Sequence, residues 1–148
     1  MFQHLLVPLD SSQFAENALE YALSLAQHYD SQLTLLHVVA QEWEAEMRAE
    51  LPNIENIAEG TETRSAVTYL STKEKELKEK GYNVIALVQK GEPVSRIILD
   101  TAKSEGADTI VMSSHGFTGL KRLMFGNVAE KVIQYAQIPV LLIRPSAE

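Results

Sequence analysis

Five short apolar runs, separated by stretches with helical spacing, constrain this chain more than any other feature. The runs are 5–9 (LLVPL), 32–39 (QLTLLHVV), 83–88 (NVIALV), 108–112 (DTIVM) and 139–143 (PVLLI). Each is bounded by turn residues and short enough to be a strand, and the second is almost wholly apolar, as a strand covered on both faces must be. Between the runs, apolar residues recur at spacings of three and four. Ala15, Ala18, Leu19, Ala22, Leu23 and Ala26 mark one helix face, and Val67, Leu70 and Leu77 a second within 62–80. Val94, Ile97, Ile98 and Ala102 mark a third, and Val128, Val132, Ile133 and Ala136 a fourth, in a helix expected over 127–136. Strands that alternate with helices form a parallel sheet with helices on both faces. The expected fold is therefore α/β, a single doubly wound, Rossmann-like domain over 1–148. If its strand order is 3-2-1-4-5, strands one and four are neighbours. The winding reverses between them, and ligands of such sheets bind outside the carboxyl ends at that point.

Punctuation along the chain agrees with this reading. Asp10-Ser11-Ser12 closes the first strand, and either serine can cap the following helix. Gly81 and Gly106 stand where helices end, and Pro93 suits a first helical position. The stretch 40–61 breaks the pattern. It carries Glu42, Glu44, Glu46, Glu50, Glu55 and Glu59 with breakers at Pro52 and Gly60. It is expected to be an acidic, mobile insertion with a short helical piece.

Composition removes several functions. A formal net charge of −7 without a Lys/Arg block opposes binding to nucleic acid or an anionic membrane. Any anionic ligand must then be held by local donors. There is no cysteine, which excludes thiol catalysis and Cys-based zinc sites. Nothing approaches the ~18 consecutive apolar residues of a membrane span, and the opening MFQHLLVPLD is unlike a signal peptide. A cytoplasmic location is the expectation. The four histidines have no metal-ligand spacing.

The stretch most suggestive of chemistry is 113–128, SSHGFTGLKRLMFGNV. A strand stops at Ser113-Ser114-His115-Gly116, and a second small-residue cluster, Gly126-Asn127, precedes a helical period. A helix start offers free N–H groups and the positive end of the dipole to a phosphate, and glycine permits close approach. The loop has neither the Gly-x-Ser-x-Gly elbow of a serine hydrolase nor the lysine-containing P-loop pattern.

With these residues in view, the chain resembles the universal stress proteins over essentially its full length. The similarity runs from Val7-Pro8-Leu9-Asp10, through Leu35-Leu36-His37-Val38-Val39 and Gly91-Glu92-Pro93, to MSSHG, FGNVAEKV and IPVLLIRP. Members of that family that bind ATP carry Gly-x2-Gly-x9-Gly-[Ser/Thr] at this loop. The matching positions here are Ser113, Gly116, Gly126 and Asn127. Ser113 replaces a glycine and Asn127 replaces Ser or Thr, while the nine-residue gap is kept. The resemblance implies a fold of the adenine nucleotide alpha hydrolase-like type. It also implies binding of ATP, or of AMP or ADP, with magnesium on the phosphates. It would place Pro8, Leu9 and Asp10 beside the adenosine, with Asp10 near the ribose or a metal, and Val38 against adenine. Met112, Ser113, His115 and Gly116 would line the ribose and phosphate side. Gly126, Asn127 and Val128 would hold the phosphates. Family members also pair the last strand antiparallel, which implies a homodimer through Val140–Ile143.

Three functions stay open on this basis. The first is a regulatory protein that binds an adenine nucleotide and acts through dimerisation and a protein partner. The second is an interaction dimer that binds no nucleotide. The third is a slow ATP hydrolase, for which the sequence offers no placed general base or metal cluster; the expectation is a protein that is not an enzyme. Asp10 is open in the same way, between a ligand contact and an Asx turn that caps its own corner. His4 and His37 are expected to be structural.

Overall fold

The structure, a computed structural model, describes residues 1–40, 61–114 and 122–144. The expected insertion at 40–61 lies almost wholly outside the described residues, as do His115 and Gly116. The described chain runs β1 (His4–Pro8), α1 (Gln13–Tyr29), β2 (Gln32–Val39), α2 (Thr61–Glu79), β3 (Asn83–Lys90), α3 (Val94–Glu105), β4 (Thr109–Ser113), α4 (Arg122–Tyr135) and β5 (Val140–Ile143). The strands form one parallel sheet in the order β3-β2-β1-β4-β5, the expected order.

Strand alternation divides the core into two layers. Leu5, Val7, Leu33, Leu35 and Val111 face α1 and α2, where they meet Ala15, Ala18, Ala22, Leu70 and Leu77. Leu6, Leu36, Ile110 and Met112 face α3 and α4, where they meet Ile98, Ala102, Ala129 and Val132. Consecutive residues of β1 thus feed opposite layers, so the strand needs no polar face. Each fully buried Leu or Val contributes about 1.5–3 kcal/mol relative to exposure.

Two residues of the expected stripes lie off the buried face, while Leu70, Leu77 and Val132 are buried as expected. Val67 is 46% exposed because Ala66, one residue earlier, points at the sheet with Leu70 and Leu77. A shift of one residue turns a helix by about 100°, which carries Val67 off the buried face. Ile133 is likewise 50% exposed, because Ala129 and Val132 hold the buried stripe of α4.

Local chemistry sets the ends. The Ser12 hydroxyl accepts from Ala15 N–H at 3.1 Å and caps α1. Pro93 sits at the N-cap of α3, one position before the expected one. Gly106 ends α3 at φ 71°, a conformation that is costly with a Cβ, and Ala107 N–H returns to Ala102 O at 2.9 Å. Gly91 has φ 150°, and a Cβ there would lie 2.7 Å from Ile97 Cδ1. The Gly91-Glu92-Pro93 turn therefore needs its glycine for space as well as for conformation.

Candidate functional site

The carboxyl ends of β1 and β4 lie side by side, since Leu5 and Leu6 pair with Thr109 and Ile110. Two polar corners, remote in sequence, therefore meet where the winding reverses.

The β1 corner is tightly built. Pro8 pairs with Leu36, and Leu9 N–H donates to Leu36 O at 2.7 Å, so the chain stays against β2 beyond the end of the strand. The Leu9 side chain is core. Ser11 then takes φ 70°. Asp10 Oδ1 accepts from Ser12 N–H at 3.0 Å, and Ser12 in turn caps α1. The Asx turn weighed from sequence is present. It holds a half-exposed carboxylate at the mouth of the crevice.

The β4 corner differs from expectation in two respects. Ser113 is not a loop residue. It pairs with Ile143 as the last residue of β4 and is 5% exposed, while Ser114 N–H donates to Ile143 O at 2.9 Å. Alternation puts Ser113 on the α1 side with Val111. Met112 is buried in the opposite layer, among the residues under α3 and α4. The second difference is the start of α4 at Arg122, five residues before the expected start, which puts Gly126 and Asn127 inside the helix rather than at its N-terminus. Arg122, Leu123 and Met124 are strong helix formers, and they carry the helix past a single glycine. Asn127 is exposed, and Val128 packs on the α3/α4 layer.

Val38 is partly buried near the end of β2, where it pairs with Gln89 and faces the α3/α4 layer. Its neighbour His37 faces the other way and is 8% exposed. His37 Nδ1 is buried and has no hydrogen-bond partner among the described residues. Burial lowers the pKa of the ring from its ordinary 6.5, against smaller opposing effects of the Asp10 charge and the Val38 backbone. His4, by contrast, is structural as expected, with Nε2 2.7 Å from Thr34 Oγ1.

A second polar group ties the helices over this end. Tyr69 donates to Glu16 Oε1, and Lys73 Nζ bonds Glu16 Oε2 at 2.8 Å. Burial raises the Tyr69 pKa, helped by the hydrogen bond to Glu16 and by the charges of Glu16 and Asp10. The Asp10 charge contributes to both shifts. From sequence His37 reads as structural, and Tyr69 carries no signal. The signal for His37 was there: Leu33, Leu35 and His37 alternate onto one face, so a histidine continues a core row at the carboxyl end of a strand. Tyr69 and Glu16 are 53 positions apart and give no local sign of each other.

The universal stress protein family model matches residues 1–144. The chain belongs to the universal stress protein family. Among family members it is similar to YxiE of Bacillus subtilis, with 33% identity over 97% of this chain and 100% of that protein. It is also similar to MJ0577 of Methanocaldococcus jannaschii, with 30% identity over 97% of this chain and 96% of that protein. The solved structure of MJ0577 superposes with a TM-score of 0.82 and 31% identity, covering 100% of this chain and 99% of that one. A universal stress protein solved in complex with cAMP shares the fold at a TM-score of 0.66 and 17% identity, covering 97% of each chain. Among the described residues, no helix is long and apolar enough to cross a membrane.

Proposed function

We propose that this universal stress protein is a cytoplasmic regulatory module that binds an adenine nucleotide, ATP or its AMP and ADP products, at the carboxyl ends of β1 and β4. It acts through a homodimer and a further protein partner rather than by turnover. One observation carries the reading. The β1 and β4 corners adjoin at the reversal of winding, and Asp10 is held there, half-exposed, by its bond to Ser12 N–H. A carboxylate at that point accepts from ribose hydroxyls, or faces magnesium carried on the phosphates. The residues present fit such a ligand: Asp10 stands half-exposed at one strand end, and the end of β4 lies beside it. Val38 would meet adenine, and His115, Gly116, Gly126, Asn127 and Val128 would serve the phosphate side. That one protein of this fold was solved with cAMP agrees with the ligand class.

The homodimer rests on β5, an edge strand in the sheet order whose Leu141 is 37% exposed. An apolar edge is protected by pairing with a second copy.

The early start of α4 favours a second reading, an interaction dimer that binds no nucleotide. A Gly126 inside a helix does not present N–H groups to a phosphate. The small-molecule content of protein purified without added nucleotide separates the two. Adenine nucleotide released on denaturation, at about one per chain, is the expected result. A consistently empty protein that also fails to take up added nucleotide supports the second reading.

A further inference from the structure

On the α3/α4 face, an apolar row shared by β2 and β3 ends in a polar side chain. Leu36 pairs with Leu87, and both belong to the core of that layer. Two residues farther along, Val38 pairs with Gln89. Alternation puts this pair on the same face as the one before it. Val38 is partly buried against the layer, and Gln89 is exposed. The row thus closes, at the carboxyl edge of the sheet, with a carboxamide beside Val38. The backbone around Gln89 is fixed, because Gly91 N–H donates to Val39 O at 3.1 Å and keeps the end of β3 against β2. Lys90, the next residue, alternates to the opposite face.

The direction of a nucleotide in the proposed site selects Gln89. With the ribose at Asp10 beyond β1 and the phosphates toward β4, the base extends the other way, over β2 and toward β3. The third strand lies two strand spacings from β1, about 9–10 Å, a distance comparable with the reach of a ribose and its purine. Val38 then meets the base, and Gln89 stands at its far edge. A carboxamide offers an acceptor beside donors. The edge of adenine offers its amino donor beside an acceptor ring nitrogen, and a glutamine can meet both at once. We propose that Gln89 reads the edge of adenine and gives the site its preference for a 6-aminopurine: Oε1 accepts from the amino group, and Nε2 donates to the neighbouring ring nitrogen. This inference rests on the nucleotide reading above.

Calorimetric titration of wild type and Gln89→Leu with ATP and with purine riboside triphosphate tests the proposal. The second ligand differs from ATP only in lacking the amino group on the base. Wild type should bind ATP at least about fivefold more tightly, the low end of what a bidentate base contact discriminates. Gln89→Leu keeps the bulk of the side chain without its polar atoms. It should bind the two ligands within about twofold of each other, through loss of ATP affinity. A wild-type preference that persists in Gln89→Leu overturns the role of Gln89 and leaves the nucleotide reading standing. Equal wild-type binding of the two ligands does the same. No wild-type binding of either ends the nucleotide reading, and this inference with it. If the leucine variant does not fold, Gln89→Ser, too short to reach the base, takes its place with the same outcomes.

Discussion

The two corners of the crevice are built by opposite means. At the β1 corner, the polar atoms of Leu9, Asp10 and Ser12 are satisfied within a few residues or across one strand, and α1 starts at Gln13. At the β4 corner, the last polar groups, Ser113 and Ser114, are tied sideways to β5, and α4 starts only at Arg122. The first corner presents a side chain fixed by its own turn. The second relies on a longer connection, and its small residues fall partly in a strand and partly in a helix. Ligand recognition in the proposed site should therefore divide, with orientation from the first corner and phosphate affinity from the second.

The largest expected effect tests the second corner. Gly126→Val should abolish saturable ATP binding if this glycine approaches phosphate. Stability should hold or rise, because valine is a better helix residue than glycine by a few tenths of a kcal/mol. Full binding by a stable variant would assign Gly126 to the helix alone and move the phosphate site elsewhere.

At the first corner, Asp10→Ala should weaken ATP by about 1.5–3 kcal/mol, the usual worth of a hydrogen bond to a charged group. The lost turn bond should cost at most about 1–2 kcal/mol of stability in urea denaturation, as for a cap. Ser12→Ala sharpens the contrast, since it removes the cap of α1 but no ligand contact. It should cost about 1 kcal/mol of stability with less change in affinity than Asp10→Ala. Equal affinity losses in the two variants would show that the corner acts only through its fold.

Ser113→Gly should have the smallest effect on binding. The side chain is buried on the α1 side, so the change should cost about 0.5–1 kcal/mol of stability through strand flexibility and alter ATP affinity by less than about threefold. A larger gain or loss would place the hydroxyl or its Cβ against the ligand.

Acid gives a check on the buried ring that needs no ligand. The folded-state pKa of His37 is lowered from 6.5, so the unfolded chain binds the extra proton first. The associated stability is present above pH 6.5 and is lost as pH falls through that value toward the folded pKa. Urea midpoints between pH 7.5 and 5.5 should fall more in wild type than in His37→Gln.

Most of the fold was legible because apolar runs and turn residues are local signals. The strand order 3-2-1-4-5, an assumption from sequence alone, is the observed one. The misplaced residues share a cause. Val67 and Ile133 each stand one position after a residue that reaches the core, Ala66 and Val132, and adjacent apolar residues leave the edge of the stripe ambiguous. Serine is a turn residue and reads as loop at position 113, yet pairing with Ile143 holds it in the sheet. Asp10 could be placed from sequence because its corner closes locally. The bond of Tyr69 to Glu16 could not be read, because only the packing of α1 against α2 brings the two together.

The central claim is that the β1 corner presents Asp10 to an adenine nucleotide. Calorimetric titration of wild type with ATP, ADP and AMP in the presence of magnesium, beside Asp10→Ala, tests it most directly. Saturable wild-type binding that weakens by at least about tenfold, roughly 1.4 kcal/mol, in Asp10→Ala is the predicted result. No saturable binding of any of the three at millimolar ligand, or binding indifferent to Asp10, would contradict it.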